Sequence, residues 1–218
     1  MHLPPLNSDV DPALAPLVAV TGATGFIGRH LVTALAEAGW RVRLLLRREP
    51  SGAEWRQSTP EVVAGSLDNE AALARLVEGA DAVIHLAGLI KAARRADFFA
   101  VNAQGVARIA QATERISPDA HFLLVSSLAA REPLLSDYAA SKRAGEAAAL
   151  AALGARTTVL RPPAVYGPGD RETLRFFQVA RWPRVPLLGG PDAHAALIHV
   201  RDVARLIVAL VASTPHGR

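Results

Sequence analysis

Three residues in this chain have the types and spacing for moving a proton to or from an oxygen: Ser127, Tyr138 and Lys142. Tyr138 opens the segment Tyr138-Ala139-Ala140-Ser141-Lys142, and a spacing of four sets Tyr138 and Lys142 on one face of a helix. A phenol is too weakly acidic to exchange protons readily near neutral pH. A neighbouring ammonium favours the phenolate and draws the pKa toward the useful range. Ser127 would hold the substrate oxygen and stabilise charge developing on it. Lys142 would also be free to donate a hydrogen bond to a hydroxyl of a bound ligand. The chain has only two lysines, Lys91 and Lys142, so this one is not drawn from a crowd of surface cations. The alternative is a buried tyrosine hydroxyl with a helical lysine beside it.

These groups need elements to carry them. Ser126-Ser127 closes an apolar run, His121–Ser126, read as a fifth strand, and Tyr138–Leu153 reads as an alanine-rich helix stopped by Gly154. Earlier strands are predicted at Leu17–Val20, Arg41–Leu46, Glu61–Ala64 and Ala82–Ala87, with a sixth at Thr157–Arg161 and a short one at Ala196–Val200. Helices are predicted between them: Phe26–Ala38, Asn69–Glu78 with Asp68 as its cap, Lys91–Ala100, Val101–Ile116, Arg171–Ala180 and Asp202–Ala212. Ser51–Thr59 reads as a loop or a weak helical turn and Pro183–Gly190 as a loop. Alternation at this interval implies right-handed βαβ crossovers and an α/β fold, one doubly wound parallel sheet whose ligands bind at the carboxyl edge.

The first crossover carries the phosphate chemistry. Leu17–Val20 runs into Thr21-Gly22-Ala23-Thr24-Gly25-Phe26-Ile27-Gly28 and then into a helix. Gly22 permits the tight turn, Gly25 lets backbone N–H groups approach a pyrophosphate, and Gly28 lets the helix pack close to the strand. The helix N-terminus adds unpaired N–H groups and a partial positive charge. At the tip of the second strand a carboxylate would bind ribose hydroxyls, whereas arginines would bind a 2′-phosphate. Arg47-Arg48 stand there, with Arg29 nearby, which favours NADP over NAD.

Composition narrows the rest. The 218 residues suit one substantial domain, half of them are hydrophobic, and the net charge of +4 is spread without a basic arm, which argues against nucleic acid. The absence of cysteine removes disulfides, thiolate catalysis and cysteine-bound metal, and no metal site is expected. No run is long enough to span a membrane, and the N-terminus lacks a basic, apolar signal, so a cytoplasmic setting is expected. Residues 1–16 read as a loose leader, 17–212 as the nucleotide domain and 213–218 as a tail.

Taken together, TGATGFIG at 21–28, HLAG at 85–88, VNAQG at 101–105, VSS at 125–127, YAASK at 138–142, RPPAVYGPGD at 161–170 and IHVRDVA at 198–204 resemble the short-chain dehydrogenase/reductase superfamily. The likeness is to its extended or atypical branch, which includes NAD(P)-dependent epimerases and dehydratases, and it covers about Leu17 to Ala212. The resemblance implies that Thr21, Gly22, Thr24, Gly25, Phe26, Ile27 and Gly28 cradle the pyrophosphate. It implies that Ser66 and Leu67 lie at the adenine, and that Leu86, Ala87 and Gly88 lie along the adenine-side ribose and cofactor backbone. Pro162, Ala164 and Val165 would run past the nicotinamide. Ser127, Tyr138 and Lys142 would form the catalytic set, with Asn102 supporting the sheet and a proton-relay water. His85 and His199 read as packed residues, and His199 with Asp202 matches a structural motif.

Several positions depart from that pattern. Ser66 stands where many members have an adenine-contacting aspartate, and Leu128-Ala129-Ala130 follows the serine pair where sugar epimerases carry a further Ser or Thr. The interval from Ser127 to Tyr138 is also short. The substrate lobe is expected to be minimal, built from 171–196, or truncated. The leading expectation is an NADP-dependent oxidoreductase acting on a carbonyl or secondary alcohol. The alternatives are a nucleotide-sugar epimerase or dehydratase and a non-catalytic dinucleotide-binding protein. A homodimer is expected through the helix bearing Tyr138, where Ala139, Ala144, Ala147 and Ala148 permit close approach.

Overall fold

Six parallel strands lie in the order β3-β2-β1-β4-β5-β6, and the chain reverses its direction of travel across the sheet between β1 and β4. The structure, a computed structural model, describes residues 15–48, 55, 59–182 and 194–213. The strands are β1 (Leu17–Thr21), β2 (Arg41–Leu46), β3 (Glu61–Ala64), β4 (Ala82–His85), β5 (His121–Val125) and β6 (Thr157–Leu160). Helices α1 (Phe26–Glu37), α2 (Glu70–Val77), α3 (Arg95–Phe99), α4 (Val106–Ile116) and α5 (Asp137–Leu153) make the crossovers. The α/β fold with a parallel, Rossmann-like sheet is as the alternation implied.

Period-two burial feeds two cores at once. Val18, Val20, Leu44, Ile84 and Leu123 pack beneath α1 and the last helix, while Ala19, Leu45, Val83, Phe122 and Leu124 pack beneath α2, α4 and α5. Both faces are covered, which is why the strands read as continuous apolar runs.

The structure departs from the sequence reading in several places, each for a local reason. Asp68 does not cap α2. Asn69 does, its Oδ1 accepting from the Ala72 amide at 3.0 Å, while Asp68 pairs with Arg108 at 3.0 Å. Residues 91–94 are not helical, and the two helices expected from Lys91 to Ile116 are one run from Arg95. That run contains a π-helical turn, Ala100–Gly105. The sheet is also accompanied by a second, two-stranded one: β7 (Ala164–Tyr166) pairs in parallel with β8 (Leu197–His199). Of these two, β8 falls within the strand expected at Ala196–Val200, while β7 was not expected, its three residues carrying too little periodicity of their own. Helix α6 is shorter than expected (Leu174–Val179), because Asp170 takes the Glu172 and Thr173 amides and holds a turn before it. Helix α7 (Val200–Ala212) packs against α1.

Of the small residues expected at a two-fold contact, Ala139 is buried in this chain's own interior, Ala147 is exposed, and Ala144 and Ala148 are half-buried. Most of the expected leader and tail, and the Pro183–Gly190 loop, lie outside the described residues. No helix among the described residues is long and apolar enough to cross a membrane.

Candidate active site

The glycine loop leaves β1 at Thr21. Gly22 has φ +76°, and a Cβ there would stand 2.5 Å from the Ala87 amide nitrogen, so only glycine fits the turn. A Cβ on Gly28 would stand 2.3 Å from the Gly22 carbonyl oxygen, which lets α1 begin directly on the turn. The Gly25 amide donates to that oxygen at 3.0 Å. Gly25 is the N-cap of α1, with no side-chain cap and no acid in the first turn. The amides of Phe26, Ile27 and Gly28 therefore have no partner within the helix, and Thr24 and Gly25 are exposed beside them. A dinucleotide pyrophosphate fits this cradle, which has N–H donors, positive helix polarity and no side chain to fill it. Arg29 is tied back to the loop, its Nε donating to the Thr24 carbonyl at 3.0 Å.

The exit of β4 is fastened to the same loop. Thr21 Oγ1 lies 2.8 Å from His85 Nδ1 and accepts from the Ala87 amide at 3.4 Å. His85 is fully buried, stacked near Phe122. Burial first, and the Lys142 charge second, push its pKa down to about 3, so it is a neutral packing residue and no base. Leu86 and Ala87 are half-buried, and Gly88 is exposed.

The π-helical turn places Asn102, which is 1% exposed. Its Oδ1 accepts from the Leu89 amide at 2.8 Å, and its Nδ2 donates to the Leu89 carbonyl at 2.9 Å and to Ser141 Oγ at 3.0 Å. Ser141 Oγ in turn donates to the Tyr138 carbonyl at 2.8 Å. Both Nδ2 hydrogens and one lone pair of Oδ1 are thus engaged by protein, holding the β4 exit against the helix of Tyr138. Its backbone carbonyl abuts α5, where a Cβ on Gly145 would stand 2.1 Å away.

Ser136 caps α5, accepting from the Ala139 amide at 3.1 Å, and so starts the helix one residue before Tyr138. Tyr138 is half-buried with Phe98 edge-on, ring centroids 6.2 Å apart, and α3 is further joined to α5 by the Arg95–Asp137 ion pair. Lys142, one turn on, is 7% exposed, and its Nζ donates to the Val125 carbonyl at 2.8 Å. Burial pushes its pKa down to about 8 against the raising influence of Glu146. Ser127 is half-buried at the end of β5, and its Oγ accepts from the Ala129 amide at 3.2 Å, which leaves its own hydrogen to donate. Among the described residues, no hydrogen bond links the Tyr138 hydroxyl to Ser127 or Lys142. The three share one edge and are not locked to each other.

The flanks complete the cleft. Arg47 and Arg48 are exposed just past β2. Ser66 is half-buried and accepts from the Asp68 amide at 3.3 Å, while Leu67 packs on the helical run, where a Cβ on Gly105 would stand 2.8 Å from it. Pro162 is buried and accepts from the Leu128 amide at 2.9 Å, followed by exposed Ala164 and half-buried Val165 on β7. The next turn lies over α1, the Pro168 carbonyl 2.9 Å from His30 Nε2. Lys91 and Glu172 pair at 2.6 Å between the β4 exit and this segment. His199 is packed edge-on to Tyr166 and caps α7, its Nδ1 accepting from the Arg201 amide at 3.3 Å. Among the described residues no group of three His, Asp or Glu is placed to hold a metal.

Reading the residues passed over Glu146 and Arg161, which join beneath this edge. Glu146 lies four residues after Lys142, repeating the interval from Tyr138, and that repeat was the available signal.

Known proteins resemble this chain in sequence and fold. The chain is 54% identical over 194 residues to the ceramide reductase of Caulobacter vibrioides, covering 88% of this chain and 60% of that protein. It is 28% identical to the 4-hydroxy-2-methyl-3-oxo-4-farnesyl-3,4-dihydroquinoline-1-oxide ketoreductase of Stigmatella aurantiaca, covering 91% of this chain and 65% of that one. The chain thus spans under two thirds of the length of both. Among solved structures, MoeE5 in complex with UDP-glucuronic acid and NAD superposes with a TM-score of 0.73 at 27% identity, covering 92% of this chain and 73% of that one. The model of the NAD-dependent epimerase/dehydratase family matches residues 18–218, and the chain belongs to that family.

Proposed function

We propose that the protein is an NADP-dependent oxidoreductase that reduces a carbonyl group on a substrate with a long apolar portion. One observation carries the reading: a nearly buried ammonium, Lys142, sits one helical turn from a half-exposed phenol, Tyr138, at the sheet edge that also presents the glycine loop. A bound reduced nicotinamide supplies the hydride, and the chain supplies the proton and the surrounding charge. The Ser127 hydroxyl donates to the carbonyl oxygen and holds it as negative charge develops. Tyr138 gives its proton to the same oxygen, and Lys142 lowers the cost of the phenolate left behind. Thr21, Gly22, Thr24, Gly25, Phe26, Ile27 and Gly28 would hold the pyrophosphate, and Leu86, Ala87, Gly88, Pro162, Ala164 and Val165 would line the bound dinucleotide. Asn102 acts as a positioning residue, through Leu89 and Ser141.

Arg47 and Arg48 support NADP, since both are exposed at the strand tip where a 2′-phosphate would lie. An apolar substrate is supported by large side chains left exposed on segments leaving this edge, among them Ile90, Leu134, Leu135 and Phe176. The two reductases with similar sequences point the same way, one named for a lipid and the other for a farnesylated ketone. MoeE5, with its bound UDP-glucuronic acid, favours a second reading, in which the substrate is a nucleotide sugar and the hydride is returned to it. The cytoplasm is the proposed compartment and a homodimer the proposed state.

The test is to titrate the purified protein with NADPH and NADH by nicotinamide fluorescence, then follow NADPH consumption with ketones of increasing chain length. Tighter NADPH binding, with turnover that improves with chain length and disappears in Tyr138→Phe, is the expected result. Conversion of a nucleoside-diphosphate sugar without net NADPH consumption would replace this reading with the second.

A further inference from the structure

We propose that Glu146 is a positioning residue for this site, holding the end of β5 that presents Ser127 and setting a counter-charge one helical turn beyond Lys142. The proposal rests on the reductase reading above and deepens it. Glu146 is 2% exposed, deep among alanines of α5. Its Oε1 accepts from Ser126 Oγ at 2.5 Å and from Arg161 Nε at 2.8 Å, and its Oε2 accepts from Arg161 Nη2 at 2.6 Å. The fork of Arg161 thus binds both oxygens, a charge-assisted geometry that fixes the carboxylate in orientation. Arg143 adds a longer contact at 3.6 Å.

The register between helix and strand gives this network its reach. Lys142 grips Val125, Glu146 grips Ser126, and Ser127 is the next residue along the chain. Successive turns of α5 therefore hold consecutive residues of one strand end, with Arg161 bracing them from the end of β6. The Ser127 hydroxyl follows that clamp directly, and Tyr138 stands in the first turn of the helix that forms it. A carboxylate used only for packing would have no need of the strand's own serine.

Charge makes the second link. The groups that bear on Lys142 are Glu146 from α5, His85 from β4 and uncharged Asn102 from the π-helical turn, with Tyr138 one turn earlier on α5, while Arg161 and Arg143 bind the carboxylate itself. His85 is neutral, so Glu146 is the anion that opposes the burial of Lys142. Burial pushes the Glu146 carboxyl up, but hydrogen bonds from Arg161 and Ser126 and the arginine charges outweigh it and hold it below the usual range.

The chain's two lysines permit a direct test without turnover. Lysine labelled with carbon-13 at Cε gives two resonances, Lys91 and Lys142, whose pH titration is followed by NMR. Glu146→Gln should move the Lys142 titration down by about one pH unit, the low end of what a nearby opposite charge produces. Lys91 should stay in place, and Glu146→Asp should recover part of the shift. The alkaline limb of kcat/KM should move with Lys142. Ser126→Ala, which removes the tether and leaves every charge, should lower kcat roughly tenfold with that limb unmoved. A Lys142 titration identical in Glu146→Gln and the unsubstituted protein would overturn the counter-charge role. An unchanged kcat in Ser126→Ala would overturn the tether. A shifted Lys142 resonance with no turnover by any form of the protein would sink the reductase reading and leave the Glu146–Lys142 coupling standing.

Discussion

Replacing Lys142 with methionine should make the protein more tolerant of neutral pH while ending its proposed chemistry. Methionine keeps an unbranched apolar stem and removes the ammonium. Burial lowers the Lys142 pKa from 10.5 to about 8. At about 1.4 kcal/mol per pH unit, that depression corresponds to roughly 3 kcal/mol of folding free energy. The sign follows from where protons sit. Below about pH 8 folded and unfolded chains both carry the ammonium, and the folded state bears the whole cost. Between about 8 and 10.5 the folded chain has lost its proton and the unfolded chain has not, so stability rises with pH. Urea denaturation, followed by tryptophan fluorescence across this range for both proteins, isolates the group. The stability of Lys142→Met relative to the unsubstituted protein should be highest near neutral pH and should fall by roughly 3 kcal/mol on reaching pH 10.5. The lost bond to Val125 shifts the whole difference by a constant and leaves its slope untouched. A difference that stays flat across the range would refute the reasoning, because the ammonium would then be no worse solvated in the fold than in water.

Other perturbations are expected to separate the parts of the site. Replacing Arg47 and Arg48 together with glutamine should weaken NADPH binding on the order of tenfold or more, as lost charge-assisted bonds to a phosphate would. NADH binding, measured by the same titration, should change little. Gly22→Ala sets a Cβ 2.5 Å from the Ala87 amide nitrogen at φ +76° and should cost more than about 1 kcal/mol in urea denaturation, with loss of cofactor binding. Asn102→Ala leaves the Leu89 amide and carbonyl without their partners, which should cost about 1–3 kcal/mol and lower kcat without changing the pH profile. Sedimentation over a wide concentration range should give twice the monomer mass, and a monomer throughout would remove the proposed dimer.

What could be read from the chain was whatever is written locally. The turn at Gly22 to Gly28 and the interval from Tyr138 to Lys142 are short-range patterns whose geometry follows from backbone sterics and helical pitch. The second sheet was only half legible: Leu197–His199 falls within the strand expected at Ala196–Val200, whereas Ala164–Tyr166 acquires its strand character only by pairing with it, far along the chain. The cap at Asn69 was missed by one residue because Asp and Asn compete equally for that role and both stand there in succession. The clamp around Glu146 needs three elements to meet, and a glutamate in an alanine-rich helix ordinarily reads as a solvated one. Arg43 teaches the same lesson from the surface: its Nη1 donates to carbonyls of Arg75, Leu76 and Glu78 and closes the end of α2, a role no spacing announces.

The π-helical turn at Ala100–Gly105 also bears on how this sequence can change over time. A helical run from Arg95 to Ile116 holding one residue too many could be made regular by a single deletion, with a gain in backbone hydrogen-bond geometry. That deletion would turn everything before it by about 100° around the axis relative to α4. Either Asn102 would leave Leu89 and Ser141, or the buried stripe of Val106, Ile109 and Thr113 would leave the core. The irregular turn is the only phase in which one helix satisfies both faces. In a library of single-codon deletions, this segment should be intolerant although the shortened helix would be, on local grounds, the better one.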